Sequence, residues 1–247
     1  MYKLGPIHQG IVERGSKTTS DSYILWPARI GAFSLVMGRH HHHSDTSDIP
    51  FSYLIEKDDE TYLVPGINLR SVGTIRDAQK WPKRDKRTDP DRLDMINYNL
   101  LSPYTIQKIL KAVDILKNLQ ALVGETSEIY YYQNTRIKGS SLRNALNFYG
   151  MAINKFFGNS LIKRLEGTTY CSMEEVWEQL RPTESKGSGE WLDLAGLILP
   201  REPLEALLQD IEQGEIASLE DVECFFRLVH GRYYSLEWTW AYEMIER

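Results

Sequence analysis

Residues 12–36, VERGSKTTSDSYILWPARIGAFSLV, carry apolar or β-branched side chains at a strict six-residue spacing. These positions are Val12, Thr18, Ile24, Ile30 and Val36. A period of six fits neither an α-helix, with about 3.6 residues per turn, nor a strand whose faces alternate. It is typical of a parallel β-helix, in which each six-residue unit forms one side of a coil. The spacing therefore predicts coils of a left-handed parallel β-helix.

Three such units complete one coil of a left-handed β-helix, so residues 12–36 cover fewer than two coils. A coil buries its inward side chains only against coils above and below it, and about three repeats are needed for stability. We therefore expect the rest of the solenoid to lie upstream of Met1. The last residues, YYSLEWTWAYEMIER, contain no helix stop signal, so we interpret the chain as a fragment cut at both ends.

The composition bounds the possible partners. The 247 residues are 42% hydrophobic and 11% aromatic, which is enough for a packed core. A formal net charge of -5 argues against a nucleic-acid-binding protein, because phosphate neutralisation needs a dominant positive field. The two cysteines, Cys171 and Cys224, cannot build a disulfide framework, which suits the reducing cytoplasm. No stretch approaches the roughly 18 apolar residues that span a bilayer, so we expect no membrane partner.

After the six-residue units (the hexads, residues 12–36), the sequence pattern changes. FSYLIE (51–56) and TYLV (61–64) predict two strands of a hairpin, and the mixed charges and prolines that follow predict an irregular connector. Ser102 and Pro103 begin a strongly periodic helix that runs to Gly124. The predicted fold class is therefore α+β, with terminal coils of a left-handed parallel β-helix followed by a mainly α-helical region. The predicted divisions are 1–72, 73–101 and 102–247.

Further helices are predicted within the last division. One begins at Ser140 or Ser141 and ends near Phe157, before a Gly-Asn break. Ser172 and Glu175 form a capping-box pattern for another, and PTESKGSG (182–189) is typical of a flexible surface loop. The aromatic residues near Tyr130 and after Tyr233 are expected to pack the core rather than to form a ligand cage.

The tract GRHHHHSDTSD (38–48) offers candidate catalytic groups. His40 or His43, with Asp45 as an orienting carboxylate, could deprotonate a substrate hydroxyl or amine. His8, in GPIHQG, is a further candidate from the hexad region. The alternative is a solvated loop at a coil corner that binds transition metals adventitiously. Because no complete ligand set accompanies the histidines, we predict no dedicated metal site.

A run of basic residues with an embedded tryptophan offers a second candidate site. Arginine forks bind phosphate and an indole can stack on a base or sugar, so this segment could hold a sugar phosphate or nucleotide sugar. The alternative is an ion-paired strap with the tryptophan buried beneath it, since nearby aspartates nearly cancel the positive charge. The predicted ligand-binding residues are His8, Arg39, Arg76, Lys80, Trp81, Lys83 and Arg84.

Three strings carry a family resemblance: GPIHQGIVERGSKTTSDSYILWPARIGAFSLVMGRH (5–40), SDTSDIPFSYLIE (44–56) and TIRDAQKWPKRD (74–85). They resemble bacterial left-handed β-helix (hexapeptide-repeat) proteins labelled glucose-1-phosphate thymidylyltransferases. The resemblance covers essentially the whole chain and implies that it corresponds to their C-terminal part. It implies sugar-nucleotide metabolism as a context and a homo-oligomer formed through the β-helix. It transfers no catalytic residue and identifies no cofactor.

Three functional hypotheses follow. The first is a fragment that binds a sugar phosphate or nucleotide sugar near residues 38–48 and 70–87, and that is not catalytic by itself. The second is a noncatalytic oligomerisation or scaffold module whose helices form the partner surface. The third is a His-dependent β-helix acyltransferase. No Walker or dinucleotide-binding glycine pattern and no nucleophile-elbow serine is present in the sequence.

Overall fold

The computed structural model describes residues 9–90, 92 and 94–247, and the chain divides into two compact units. The first unit comprises residues 1–78 and 108–152, and the second comprises residues 79–107 and 153–247. The helices are α1 (Val72–Arg84), α2 (Pro103–Val123), α3 (Gly139–Leu165), α4 (Met173–Leu180), α5 (Arg201–Gln213), α6 (Leu219–Gly231) and α7 (Tyr233–Glu246), with a 3₁₀ turn at Ile67–Leu69.

The strands are short, and most of them belong to the first unit. They are β1 (Ile11–Val12), β2 (Lys17–Thr18), β3 (Tyr23–Ile24), β4 (Arg29–Ile30), β5 (Leu35–Met37), β6 (Arg39–His40), β7 (Tyr53–Lys57), β8 (Glu60–Val64), β9 (Ile129–Tyr132), β10 (Thr135–Lys138), β11 (Trp191–Leu194) and β12 (Leu197–Pro200). Each of the five hexad positions lies in one of β1 to β5, so the six-residue spacing marks the strands correctly.

Parallel pairs join these first strands. β1 pairs with β4, β2 with β5 and β3 with β6. Ile30 and Val36 are buried, with 1% exposure, whereas Val12 is 51% exposed because β1 has a neighbour on one side only. The hexad side chains therefore do not form one continuous buried row.

A mixed sheet forms the largest β structure of the first unit. Its six strands follow the order β2-β5-β7-β8-β10-β9. β7 and β8 form the predicted hairpin, which is confirmed, and β9 and β10 form a second antiparallel hairpin. Leu54, Leu63 and Ile137 lie in this sheet and are buried. The sheet thus draws on strands that are far apart in the sequence.

The structure is α+β, but the predicted left-handed parallel β-helix is wrong. The parallel pairs are only two or three residues long, two of them stand as separate two-stranded sheets, and the largest sheet is mixed rather than parallel. The reason lies in the turns: Asp58 and Asp59 adopt φ of 53° and 61°, which returns β8 antiparallel to β7. Gln133 and Asn134, with φ of 45° and 59°, do the same between β9 and β10.

The region after residue 101 also differs from the predicted one. It is mainly helical, as predicted, but it also contains the hairpins β9–β10 and β11–β12, which were not predicted. α2 begins at Pro103 as predicted, and the Ser102 hydroxyl accepts from the Thr105 amide at 3.4 Å. α3 runs through Gly158 to Leu165, so the predicted break there is wrong.

The connector predicted as irregular begins with helix α1. Pro82 lies in its last turn, where the missing N–H removes one backbone hydrogen bond of the helix. The side chains of α1 are not buried, and Trp81 is 55% exposed, so the expected burial of that indole is wrong.

The second unit is built around tryptophans. Trp191 is fully buried and packs edge-on against Tyr233, with 5.7 Å between ring centroids. The indole N–H groups of Trp191, Trp238 and Trp240 donate to backbone carbonyl oxygens of Gly187, Leu180 and Gly189, at 2.8, 2.7 and 3.1 Å. The segment that follows α4 is therefore held by buried hydrogen bonds, contrary to the predicted flexible loop.

Among the described helices, none is both long and apolar enough to cross a membrane.

Candidate functional site

A cleft of about 590 Å³ opens on the second unit. Its walls come from the C-terminal half of α3, the end of α4, the first turns of α7 and the segment before α2. The side chains that line it are Asn99, Leu101, Phe156, Asn159, Ser160, Lys163, Arg164, Gln179, Tyr234, Ser235, Glu237 and Trp238. This set combines two cations, one carboxylate, several amides and hydroxyls, and three aromatic rings.

The α3 wall follows from helical spacing. Phe156, Ser160, Lys163 and Arg164 recur at steps of three and four residues, which places them on one face of a helix. Phe156 is buried and anchors that face through an edge-on contact with Trp240. The two cations then follow two turns later, where the face reaches solvent.

The α7 wall follows the same rule. Tyr234, Glu237 and Trp238 are three and four residues apart. The Trp238 ring is 3% exposed, and its bond to Leu180 fixes the indole plane at the base of the cleft. Tyr234 is 54% exposed and stands at the rim.

Lys163 and Arg164 are held by aromatic faces and a backbone oxygen. The Lys163 ammonium lies 4.0 Å from the Tyr234 ring centroid, and the Arg164 guanidinium lies 4.6 Å from the Trp238 ring. Arg164 also donates to the Tyr234 carbonyl oxygen at 3.1 Å. Within the part of the chain that the structure describes, neither cation forms a direct ion pair with a carboxylate. Their charge is thus positioned but not neutralised by contact.

Glu237 is the acidic group of the cleft. Its Oε2 accepts from the Tyr233 hydroxyl at 2.5 Å. Burial raises the pKa of Glu237 from 4.5 to about 7, against the opposing effects of the Tyr233 hydrogen bond, Lys163 and Arg164. Burial lowers the pKa of Arg164, and the charge of Glu237 partly offsets this. A carboxyl group that titrates near neutral pH inside a cleft is a signature of functional sites.

Polar groups complete the cleft. The Gln179 amide donates to the Arg164 carbonyl oxygen at 3.4 Å. Tyr233 lies beneath Glu237, and its pKa is raised well above 10, first by burial and then by Glu237, while a hydrogen bond with Asn99 opposes the shift. The Tyr233 hydroxyl therefore stays protonated and remains a donor to Glu237.

The predicted catalytic residue His40 is enclosed. It has no exposed surface, its Nδ1 lies 3.0 Å from the Thr61 hydroxyl, and its Nε2 lies 3.1 Å from the Met37 carbonyl oxygen. Burial lowers the pKa of His40, with the Met37 hydrogen bond and Glu56 opposing. Its position is that of a neutral histidine in the core, which a substrate cannot reach.

The neighbouring candidates are more accessible. His43 is exposed, and its Nδ1 lies 3.2 Å from the Leu25 carbonyl oxygen. Asp45 accepts from the Ser47 hydroxyl at 2.6 Å and from the Ser47 amide at 3.0 Å. Among the described residues, no hydrogen bond joins Asp45 to either histidine, so the expected histidine and carboxylate pair is not assembled.

The predicted ligand-binding residues that the structure describes do not line the cleft. Arg39 is paired with Asp21 at 2.8 Å, and Arg76 contacts its neighbour Asp77 at 3.4 Å. Arg84 lies 5.9 Å from the Trp81 ring on exposed α1. That helix also carries the other predicted cations, Lys80 and Lys83. His8 lies outside the described residues. These residues stay candidates, without a built site around them.

The cleft could not be placed from the sequence because α3 was expected to end at Phe157, which left Lys163 and Arg164 off the helix. One signal was available. Glu237 is the single charged residue in the stretch 233–242, YYSLEWTWAY, and a lone charge in an aromatic helix indicates either a buried partner or a site.

No group of three or more histidine, cysteine or acidic side chains that could hold a metal ion occurs in the described parts of the chain.

Two families match parts of the chain. Residues 1–120 are similar to a domain of unknown function (DUF4954), and residues 172–247 are similar to another domain of unknown function (DUF6819). No curated protein and no solved structure matches the chain. Neither family description names an activity, so the resemblance to thymidylyltransferases stays a prediction.

Proposed function

We propose that the chain binds a sugar phosphate, or a similar hydroxyl-rich molecule with one anionic group, in the cleft of the second unit. The observation that carries the proposal is the pair Lys163 and Arg164, which face the cleft on aromatic supports rather than on carboxylate partners. An anion placed beside them gains both charge attraction and hydrogen bonds from ammonium and guanidinium groups.

The remaining lining suits the hydroxyl groups of a sugar. Side-chain amides and hydroxyls can both donate and accept hydrogen bonds, as sugar hydroxyls do. The residues concerned are Asn99, Asn159, Ser160, Gln179 and Ser235. A volume of about 590 Å³ lies within the usual range of small-molecule sites, roughly 300–1,000 Å³. The site proposed here differs from the segments 38–48 and 70–87 that the sequence favoured.

Binding of glucose 1-phosphate to the full chain, measured by isothermal titration calorimetry near pH 7, tests the proposal. Lys163→Met should weaken binding by at least about tenfold, since a charged hydrogen bond contributes roughly 1.5–3 kcal/mol. Lys155→Met is the matched control, because Lys155 is an exposed lysine of the same helix that does not line the cleft. Equal affinity in both variants, or no binding to the unmodified chain, contradicts the proposal.

We further infer a reducing, cytoplasmic compartment as the setting for this binding. The support is that Cys171 and Cys224 are both free and exposed thiols. Exposed, unpaired thiols are oxidised readily where disulfides persist.

A further inference from the structure

Glu237 shares the cleft with the cations that would hold the anion. Its Oε2 is taken by the Tyr233 hydroxyl, and among the described residues its Oε1 accepts no hydrogen bond. Lys163 and Arg164 act on it electrostatically but do not touch it. The arrangement leaves room for a ligand oxygen that approaches both the cations and the free carboxylate oxygen.

An ionised Glu237 and an anionic ligand compete for the same two positive charges. If both stay charged, two negative groups meet in a partly buried cleft where water screens them poorly. If Glu237 takes up a proton, the repulsion disappears and its O–H becomes a donor toward the ligand. Protonation of Glu237 thus replaces a charge repulsion with a hydrogen bond to the ligand.

We propose that the cleft takes up one proton together with its anion, and that Glu237 is the group that receives it. This inference rests on the proposed function, because it concerns the same ligand in the same cleft. It makes Glu237 a positioning and selectivity residue rather than a catalytic one. It also makes ligand affinity depend on pH across the neutral range.

The groups facing Glu237 are consistent with this assignment. From α3 they are the basic side chains of Lys163 and Arg164, and from α7 Tyr233, which stays protonated. The ends of α4 and of the segment before α2 contribute the uncharged amides of Gln179 and Asn99. Glu237 is the lining group whose pKa is raised to about 7.

The coupling between proton binding and ligand binding gives the size and sign of the change in the dissociation constant with pH. The pKa of Glu237 is about 7 without ligand, even though Lys163 and Arg164 lower it. An anion that occupies the cations removes part of their effect, so the pKa rises further in the complex. The dissociation constant should therefore increase with pH above 7, by up to about fivefold between pH 7 and pH 8. By reciprocity, the same coupling makes ligand binding increase the protonation of Glu237.

The test is calorimetry of glucose 1-phosphate binding at about pH 8, in two buffers with different ionisation enthalpies. A phosphate monoester is already a dianion there, since its second pKa is about 6. The unmodified chain should take up between about half a proton and one proton per ligand bound. Glu237→Gln should bind with no proton uptake and with little dependence on pH. Glu246→Gln, on the same helix but outside the cleft, is the control and should behave as the unmodified chain does.

The outcomes separate the two proposals. If glucose 1-phosphate does not bind at all, the proposed function fails. If it binds without proton uptake, or if Glu237→Gln takes up the same amount of proton, the function stands and this inference is overturned. If Glu237→Gln does not fold, the proton uptake of the unmodified chain and its pH dependence between about 6 and 8 decide the question.

Discussion

In the first unit, the Lys108 ammonium lies 2.9 Å from Glu13 Oε1 and 2.9 Å from the Ser47 carbonyl oxygen, and both charged side chains are largely buried. In the second unit, Lys163 and Arg164 rest on aromatic rings, and Glu237 contacts a tyrosine hydroxyl instead of a cation. In the first unit the two charges pair with each other and stabilise the fold. In the second unit the cations remain available to a ligand, and burial raises the pKa of Glu237.

The largest expected effect tests the first half of this comparison. Lys108→Met removes one member of a buried pair whose side chains are 15% and 9% exposed, and Glu13 loses the ammonium group that lies 2.9 Å from its Oε1. The free energy of unfolding, measured by urea titration, should fall by about 3–5 kcal/mol.

Lys111→Met provides the matched control on the same helix. Its pair with Asp48 is 2.8 Å long but more exposed, at 62% and 30%, so the loss should stay within about 1 kcal/mol. Similar losses in the two variants would mean that burial does not distinguish these pairs, and the comparison would break.

A backbone position in the first unit gives the next effect. A Cβ added at Gly31 would lie 2.2 Å from the Thr46 carbonyl oxygen, and the Gly31 amide donates to the Thr46 hydroxyl at 3.0 Å. Because a backbone oxygen cannot move aside freely, Gly31→Ala should destabilise the chain by about 1–3 kcal/mol. Gly150→Ala, in α3 and with open space around its Cβ, should instead stabilise it by about 0.5–1 kcal/mol. Urea titrations of both variants should show changes of opposite sign in the free energy of unfolding.

The sequence carried more information about the first unit than about the second. The hexad positions marked β1 to β5, because branched apolar residues between polar ones specify strands locally. They could not specify the sheets, since pairing depends on turns such as Asp58–Asp59, whose left-handed backbone is not dictated by the residue type.

The cleft needed information that no local pattern contains. Lys163 and Glu237 are far apart in the sequence and meet only through the packing of α3 and α7. The enclosed position of His40 could not be predicted for the same reason. A tract of four histidines suggests an exposed loop. The burial of His40 depends instead on Thr61 and on the strands around it.

The smallest expected effect tests the second half of the comparison through pH. The pKa of Glu237 is about 7 in the folded chain, whereas its ordinary value is 4.5. Between pH 4.5 and pH 7 the carboxyl group is therefore mostly protonated in the folded state and mostly ionised in the unfolded state. For an acid with a raised pKa, this means that stability is greatest below pH 4.5 and falls as pH rises to 7. Above pH 7 the penalty is complete.

Glu237→Gln removes the free-energy cost of ionising this buried carboxyl group. At pH 8 it should raise the free energy of unfolding by about 1–2 kcal/mol, after allowance for the partial exposure of the side chain, whereas at pH 5 it should change little. Urea titrations at the two pH values provide the measurement, with Glu246→Gln as the control for loss of one charge from α7. A stabilisation of equal size at both pH values would mean that Glu237 does not change its charge between pH 5 and pH 8, and the comparison would break.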